Sequence, residues 1–225
     1  MELPENHDNK IVNDSKQDIS MQEFLEMGKK YLLIPAGLLF VEIIYMILTS
    51  SQDTLAGIQE FVAKIWNKLN QIIYGNDTST LSMYGDTGLK TKVELHNINF
   101  PELQNNTIDF YVSDECAGVH EMLFLTTLIL LTPFVSRKIK AMSIPPMLIL
   151  VFCLNILRLL LIYPLAASGC NKNPGEFGCD APWKVFHDFV FEWGSLIILT
   201  IIWLAWFSIV NNSKLKKDSR IDSEE

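Results

Sequence analysis

The sequence predicts a mainly α-helical, polytopic membrane protein. It has about four transmembrane helices, with an amphipathic helix and a small β-hairpin placed ahead of the second span. Three observations predict this. Hydrophobic residues make up 49% of the 225-residue chain, and they concentrate in the runs Tyr31–Thr49, Met122–Val135, Ile144–Tyr163 and Phe186–Val210. Three of these runs reach about 18 residues, enough for a helix to cross roughly 30 Å of hydrocarbon; the run at Met122 is shorter and extends backward through Val119, Gly118 and Ala117. Basic residues cluster beside alternate ends of the runs. Between the first two runs the apolar period changes from helical to alternating.

The first 28 residues are polar and acidic, without the basic start and short apolar core of a secretory signal. They are expected to form a cytoplasmic tail (1–28), disordered up to Ile19. Ser20, with Glu23 three residues on, makes a capping box for a helix that follows. Lys29 and Lys30 precede the first run, Arg137, Lys138 and Lys140 follow the second, and Lys214, Lys216, Lys217 and Arg220 follow the fourth. With four crossings all three clusters share one side, which the positive-inside rule makes cytoplasmic. The expected organisation is then a membrane-embedded domain over 29–210, with 50–115 extracytoplasmic, and a cytoplasmic tail over 211–225. Pro164–Val185 forms the second outer segment. Both termini face the cytoplasm in the plasma membrane. The net charge of −8 argues against nucleic acid as a partner.

Leu55–Tyr74 is amphipathic: Leu55, Ile58, Phe61, Val62, Ile65, Trp66, Leu69 and Ile72 fall on one stripe, with Gln59, Lys64, Asn67, Lys68 and Gln71 opposite. It has too many polar residues to span. It is expected to pack over the outer segment, the alternative being to lie on the membrane surface. Lys90–Phe100 and Thr107–Val112 alternate and are β-prone, with turn residues between them, and read as a hairpin leading into Cys116. Asn76-Asp-Thr and Asn105-Asn-Thr match the glycosylation pattern and fall on the expected outside.

Of the four cysteines, Cys153 reads as a small buried apolar residue within a helix. Cys170 and Cys179 flank a Pro/Gly-rich outer loop, where an oxidising exterior favours a disulfide over metal ligation. Cys116 is left as an unpaired, outward-facing thiol at the start of the second span. A helix N-terminus lowers a thiol's pKa, while Asp114 and Glu115 oppose this unless they cap the helix and face elsewhere. Ala117 and Gly118 leave room for a substrate backbone.

Three other side chains are candidates to reach that thiol. His187 opens the last run at matching depth. Arg158 lies inside the third run, where a charge is costly and faces protein or a cavity; Asn155 lies three residues earlier on the same face. His120 follows Cys116 by four residues and is a weaker candidate, one turn deeper, able instead to bond a neighbouring helix. A thiol, an imidazole and a guanidinium together suit cysteine acyl transfer: nucleophile, base and then acid, and oxyanion stabiliser. The plainer alternatives are a structural cysteine, an interfacial histidine beside Trp183 and Trp193, and a snorkelling arginine.

With the motifs Cys116-Ala117-Gly118, Asn155-Ile156-Leu157-Arg158 and His187, in that order and at the outer ends of helices, the chain resembles the exosortase/archaeosortase family of integral membrane cysteine transpeptidases, and the archaeal branch in particular. The resemblance covers about Val93–Val210. It implies that Cys116, Arg158 and His187 are catalytic, with Asn155 supporting them. It also implies membrane-anchored protein substrates with a C-terminal sorting tail, a lipid acceptor and no cofactor. The chain has fewer helices than many members of that family, and His120 and the Cys170–Cys179 loop match nothing in the pattern. Two readings from other classes remain: a non-enzymatic membrane scaffold, with Arg158, Glu121 and His120 as interhelical contacts, and a membrane metal site built from Cys116, His120, Glu121 and His187.

Overall fold

The computed structural model describes residues 21–51, 54–85, 88–174, 179 and 181–221. The expected disordered stretch to Ile19 and the Ser20 cap lie outside them. The chain is mostly helical with one small sheet. Helix α1 (Met21–Leu48) is followed by α2 (Ala56–Tyr74) and by strands β1 (Ser79–Ser82), β2 (Lys92–His96) and β3 (Thr107–Tyr111). Then come α3 (Val119–Leu131), α4 (Arg137–Lys172), α5 (Pro182–Phe189), a π-helical stretch Val190–Gly194 and α6 (Ser195–Ile221).

Three helices, at Tyr31–Leu48, Arg137–Lys172 and Ser195–Asn212, are long and apolar enough to cross a membrane. The fourth expected span is α3, which has 13 residues. At 1.5 Å per residue it reaches about 20 Å, short of a full crossing. Its start is delayed because Gly118, in the left-handed region, ends the 3₁₀ turn Glu115–Ala117, and Thr132-Pro133 stops it.

Residues 21–28 open α1, the helix expected to follow Ser20, since Gln22, Glu23, Leu25 and Met27 are strong helix formers and no proline intervenes before Pro35. Other expected boundaries need correction. The third span does not end at Tyr163. Helix α4 runs through Pro164 to Lys172 over 36 residues, about 54 Å. Pro164 removes one backbone bond, but the buried face of Ile162, Tyr163, Ala166 and Cys170 holds the helix against the sheet. Helix α6 likewise extends to Ile221, into the expected 211–225 tail.

The hairpin forms as expected, β2 antiparallel to β3 with Lys92 opposite Tyr111 and His96 opposite Thr107. A third strand, β1, adds to β2, giving the order β1-β2-β3. The expected amphipathic helix is α2, but its buried side is rotated from the expected stripe. Gln59, Val62, Ala63, Trp66 and Asn70 are buried, while Ile58, Phe61 and Ile72 are exposed. One face of α2 therefore packs on the sheet and α4 and another remains apolar and open, which suits contact with a lipid surface.

The molecule has two cores that share α4. One joins Leu125 and Ile129 of α3, Val151 of α4, and Leu199 and Trp206 of α6. The other joins Val62 and Trp66 of α2, Val93 and Leu95 of β2, and Ile156, Leu159 and Ile162 of α4. The long central helix thus leaves a helical bundle and becomes the spine of the sheet-bearing part. Cys153 is exposed on it rather than buried, on the same open side as Ile149 and Leu157. Cys170 and Cys179 form the expected disulfide, tying the C-terminal end of α4 to the chain that returns as α5.

Candidate functional site

The site lies where the two cores meet, and it begins with a backbone turn. Cys116 sits in the 3₁₀ turn Glu115–Ala117, ahead of the α-helix rather than in its first turn. Gly118 follows at φ 77°, and a Cβ at Gly118 would lie 2.9 Å from Asn155 Nδ2. Only glycine suits both the left-handed backbone and that approach. Asn155 Nδ2 in turn donates to the Cys116 carbonyl at 3.0 Å. The room left by Gly118 is therefore taken by Asn155 and not kept for a substrate. The two short motifs interlock, the asparagine of one fixing the turn that presents the thiol of the other.

His187, on α5, brings Nε2 to 3.9 Å from Cys116 Sγ. Its Nδ1 lies 3.3 Å from Asp188 Oδ1, a neighbour that the spacing of motifs did not single out. Asp114, buried beside the thiol, turns away: its Oδ1 accepts the Leu55 N–H at the start of α2 at 3.0 Å. Glu115 is exposed. Burial pushes the Cys116 thiol up, but hydrogen bonding to His187 and Ser113 and the nearby charge of Arg158 outweigh it and leave the thiol below its ordinary range. The bond to Cys116 holds the His187 imidazole above its ordinary value, against its own burial. Both shifts favour a thiolate–imidazolium pair.

Arg158 and Asn155 are both buried, on one face of α4 as expected. Arg158 Nη1 is 3.8 Å from Glu121 Oε1 of α3, and Ser195 Oγ donates to the same oxygen at 3.5 Å. Arg158 Nε and Nη2 are buried with no hydrogen-bond partner among the described residues, so two donors of the fork stay available. Ser195 follows directly on the π stretch Val190–Gly194, and its Oγ also donates to the Val190 carbonyl within it.

His120 does not join the thiol. The break at Gly118 removes the i, i+4 relationship, and His120 Nε2 instead meets Glu42 Oε2 of α1 at 2.6 Å. Its ring packs on Tyr45, whose hydroxyl donates to the Asp114 carbonyl at 3.2 Å. Helix α1 is thereby latched to the turn that carries Cys116. The set Cys116, His120, Glu121 and His187 is dispersed among separate partners, and no group of three or more His, Cys, Asp or Glu side chains converges among the described residues.

A cavity of about 260 Å³ opens on the thiol, lined among others by Trp66, Phe110, Ser113, Cys116, Trp183 and His187. Comparison with protein-family models, with curated proteins and with solved structures finds no match to this chain.

Proposed function

We propose that the chain is a membrane-embedded cysteine transpeptidase of the exosortase/archaeosortase kind, which removes the C-terminal sorting tail of membrane-anchored surface proteins and passes the new C-terminus to a lipid amine. One observation carries the reading: a partly buried thiol lies 3.9 Å from an imidazole, with the charge of Arg158 near enough to lower that thiol.

The chemistry follows from these groups. The Cys116 thiolate attacks the scissile carbonyl carbon, and the oxyanion is met by the free donors of Arg158. The C–N bond breaks as the His187 imidazolium gives its proton to the leaving amine, and a thioester remains on Cys116. An acceptor amine then attacks the thioester, His187 takes the proton released, and the thiolate leaves. Water in place of the amine gives hydrolysis. A bilayer that confines both enzyme and substrate presents the bond at the depth of the site, which favours encounter.

The test is to co-express a doubly tagged surface protein ending in a short motif, an apolar helix and a basic tail. The full chain should yield the tail-less product. Cys116→Ala should yield none, and His187→Ala should lower the rate by about 100-fold or more. Unchanged processing by Cys116→Ala would rule the proposal out. The second reading, a scaffold, is favoured by the link from Arg158 through Glu121 to Ser195, which joins three helices. It predicts a Cys116 no more reactive toward iodoacetamide than a free model thiol.

A further inference from the structure

The sheet ends in an edge that leads to the thiol. The register pairs Phe110 with Val93 and Ile108 with Leu95. The bonds Val112 N–H to Thr91 carbonyl and Asn97 N–H to Asn106 carbonyl flank the ladder. In an antiparallel pair hydrogen-bonded residues alternate, so Val112, Phe110 and Ile108 bond inward to β2, while Thr107 and Asp109 turn their N–H and C=O groups outward. Neither Thr107 nor Asp109 has a backbone partner on that side among the described residues.

A cavity of about 760 Å³ follows this edge. It takes in Lys92, Glu94 and Asp109 from one sheet face together with Ile108 and Trp183 from the other. A space touching both faces of one sheet wraps around its open margin. Trp183 also lines the cavity on Cys116 and His187, so the two spaces meet at this indole. Its N–H is buried with no partner among the described residues. It packs edge-on to Phe110 of β3, with ring centroids 4.7 Å apart.

We propose that the outer edge of β3 is the docking strand for the substrate: an extended polypeptide, immediately before the scissile bond, adds to β3 along Thr107 and Asp109 as a fourth strand and passes Trp183 to reach Cys116. Outward N–H and C=O groups repeating every second residue, at about 6.8 Å, are complemented by another extended backbone and by little else. The inference rests on the reading of Cys116 as a nucleophile toward peptide carbonyls, and its test separates the two.

The full chain carrying Cys153→Ser, so that Cys116 is the free thiol among the described cysteines, is treated in nanodiscs with iodoacetamide. In parallel it is treated with a randomised pool of acetyl-tetrapeptidyl chloromethyl ketones, which alkylate the sulfur with loss of chloride. A matched pool is N-methylated at alternate residues, removing its strand-pairing donors. The plain pool should label Cys116 at least about fivefold faster than the methylated pool, the worth of one or two backbone hydrogen bonds. Asp109→Pro, which removes an N–H the ladder does not use, should erase that advantage and leave the iodoacetamide rate unchanged. Equal labelling by both pools overturns the docking strand and leaves the nucleophile standing, and because that comparison alters only the probe it does not depend on how the proline variant folds. Failure of iodoacetamide to label Cys116 overturns the nucleophile, and the docking strand with it.

Discussion

A thiol and an imidazole in contact share one proton, and the surroundings decide where it rests. At Cys116 burial alone favours the neutral pair, while the bond to His187 and the charge of Arg158 favour the ionic one. The thiol is lowered and the imidazole raised, and both shifts enlarge the share of the ionic pair. The sign of each limb follows. Loss of the thiol proton as pH rises supplies the nucleophile and accelerates transfer; loss of the imidazolium proton removes what the leaving amine needs and slows it. The expected profile of kcat/KM is a bell whose two apparent values belong to the pair. Iodoacetamide needs only the thiolate, so its rate should show the acid limb alone, with a midpoint below that of a free model thiol measured alongside. His187→Ala removes a hydrogen bond that lowers the thiol and leaves the burial that raises it. The midpoint should then move upward, and a midpoint that stays put would show that His187 does not hold the thiolate.

Among the elements, α5 depends most on a covalent tie. It is eight residues long, too short to be stable alone, and it carries His187. The Cys170–Cys179 bridge fixes the chain just before it to the end of α4. Gly169 makes the close return possible, since a Cβ there would lie 2.7 Å from the Pro182 ring. Replacing both cysteines by serine should cost about 2–3 kcal/mol by the loop-closure argument, measurable as a lower Tm of the purified protein. It should also slow alkylation of Cys116, because His187 is then held less firmly. A variant that melts early yet keeps the full alkylation rate would show that the bridge stabilises the fold without positioning the histidine. How much of this was legible in the sequence varies with how local each cause is. The three long apolar runs, the alternation of β2 and β3, and the Asn155–Arg158 face are periodic signals within one segment, and they form as expected; the shorter run at Met122 gives a helix of 13 residues. Strand β1 is the four residues Ser79–Ser82, with no alternation to detect; it exists because β2 offers an edge. His120 takes the second course open to it, a bond to a neighbouring helix, because one left-handed glycine cancels the i, i+4 relationship to Cys116. Its true partner, Glu42, is 78 positions away, beyond any local pattern. Asp188, by contrast, was in plain sight beside His187.

At the scale of the whole molecule, the central question is how a 13-residue helix serves beside three longer ones. Helix α3 runs antiparallel to the first half of α4, joined by the short turn 132–136. Lys140 Nζ closes that turn on the Leu130 carbonyl at 2.6 Å, and Trp203 Nε1 bonds Thr132 Oγ1 at 2.8 Å. From a start at that basic turn, about 20 Å of α3 ends roughly two thirds of the way across a 30 Å core. We infer that the turn bearing Cys116 is recessed in the far leaflet, with the sheet above it, and that α3 stays short so that the thiol meets a bond close to a substrate's own membrane helix. On that inference the loop between β2 and β3 would lie outside and the α3–α4 turn inside, the side to which the positive-inside rule assigns the Arg137, Lys138 and Lys140 cluster. Leu103 is fully exposed at the tip of the first, and Lys138 is exposed at the second. In a background of Cys116→Ala and Cys153→Ser, a membrane-impermeant maleimide should label Leu103→Cys on intact cells. It should reach Lys138→Cys only after the membrane is opened. Labelling of Lys138→Cys on intact cells as fast as Leu103→Cys would place both loops on one side. It would leave α3 without a crossing and the thiol without a reason to face outward.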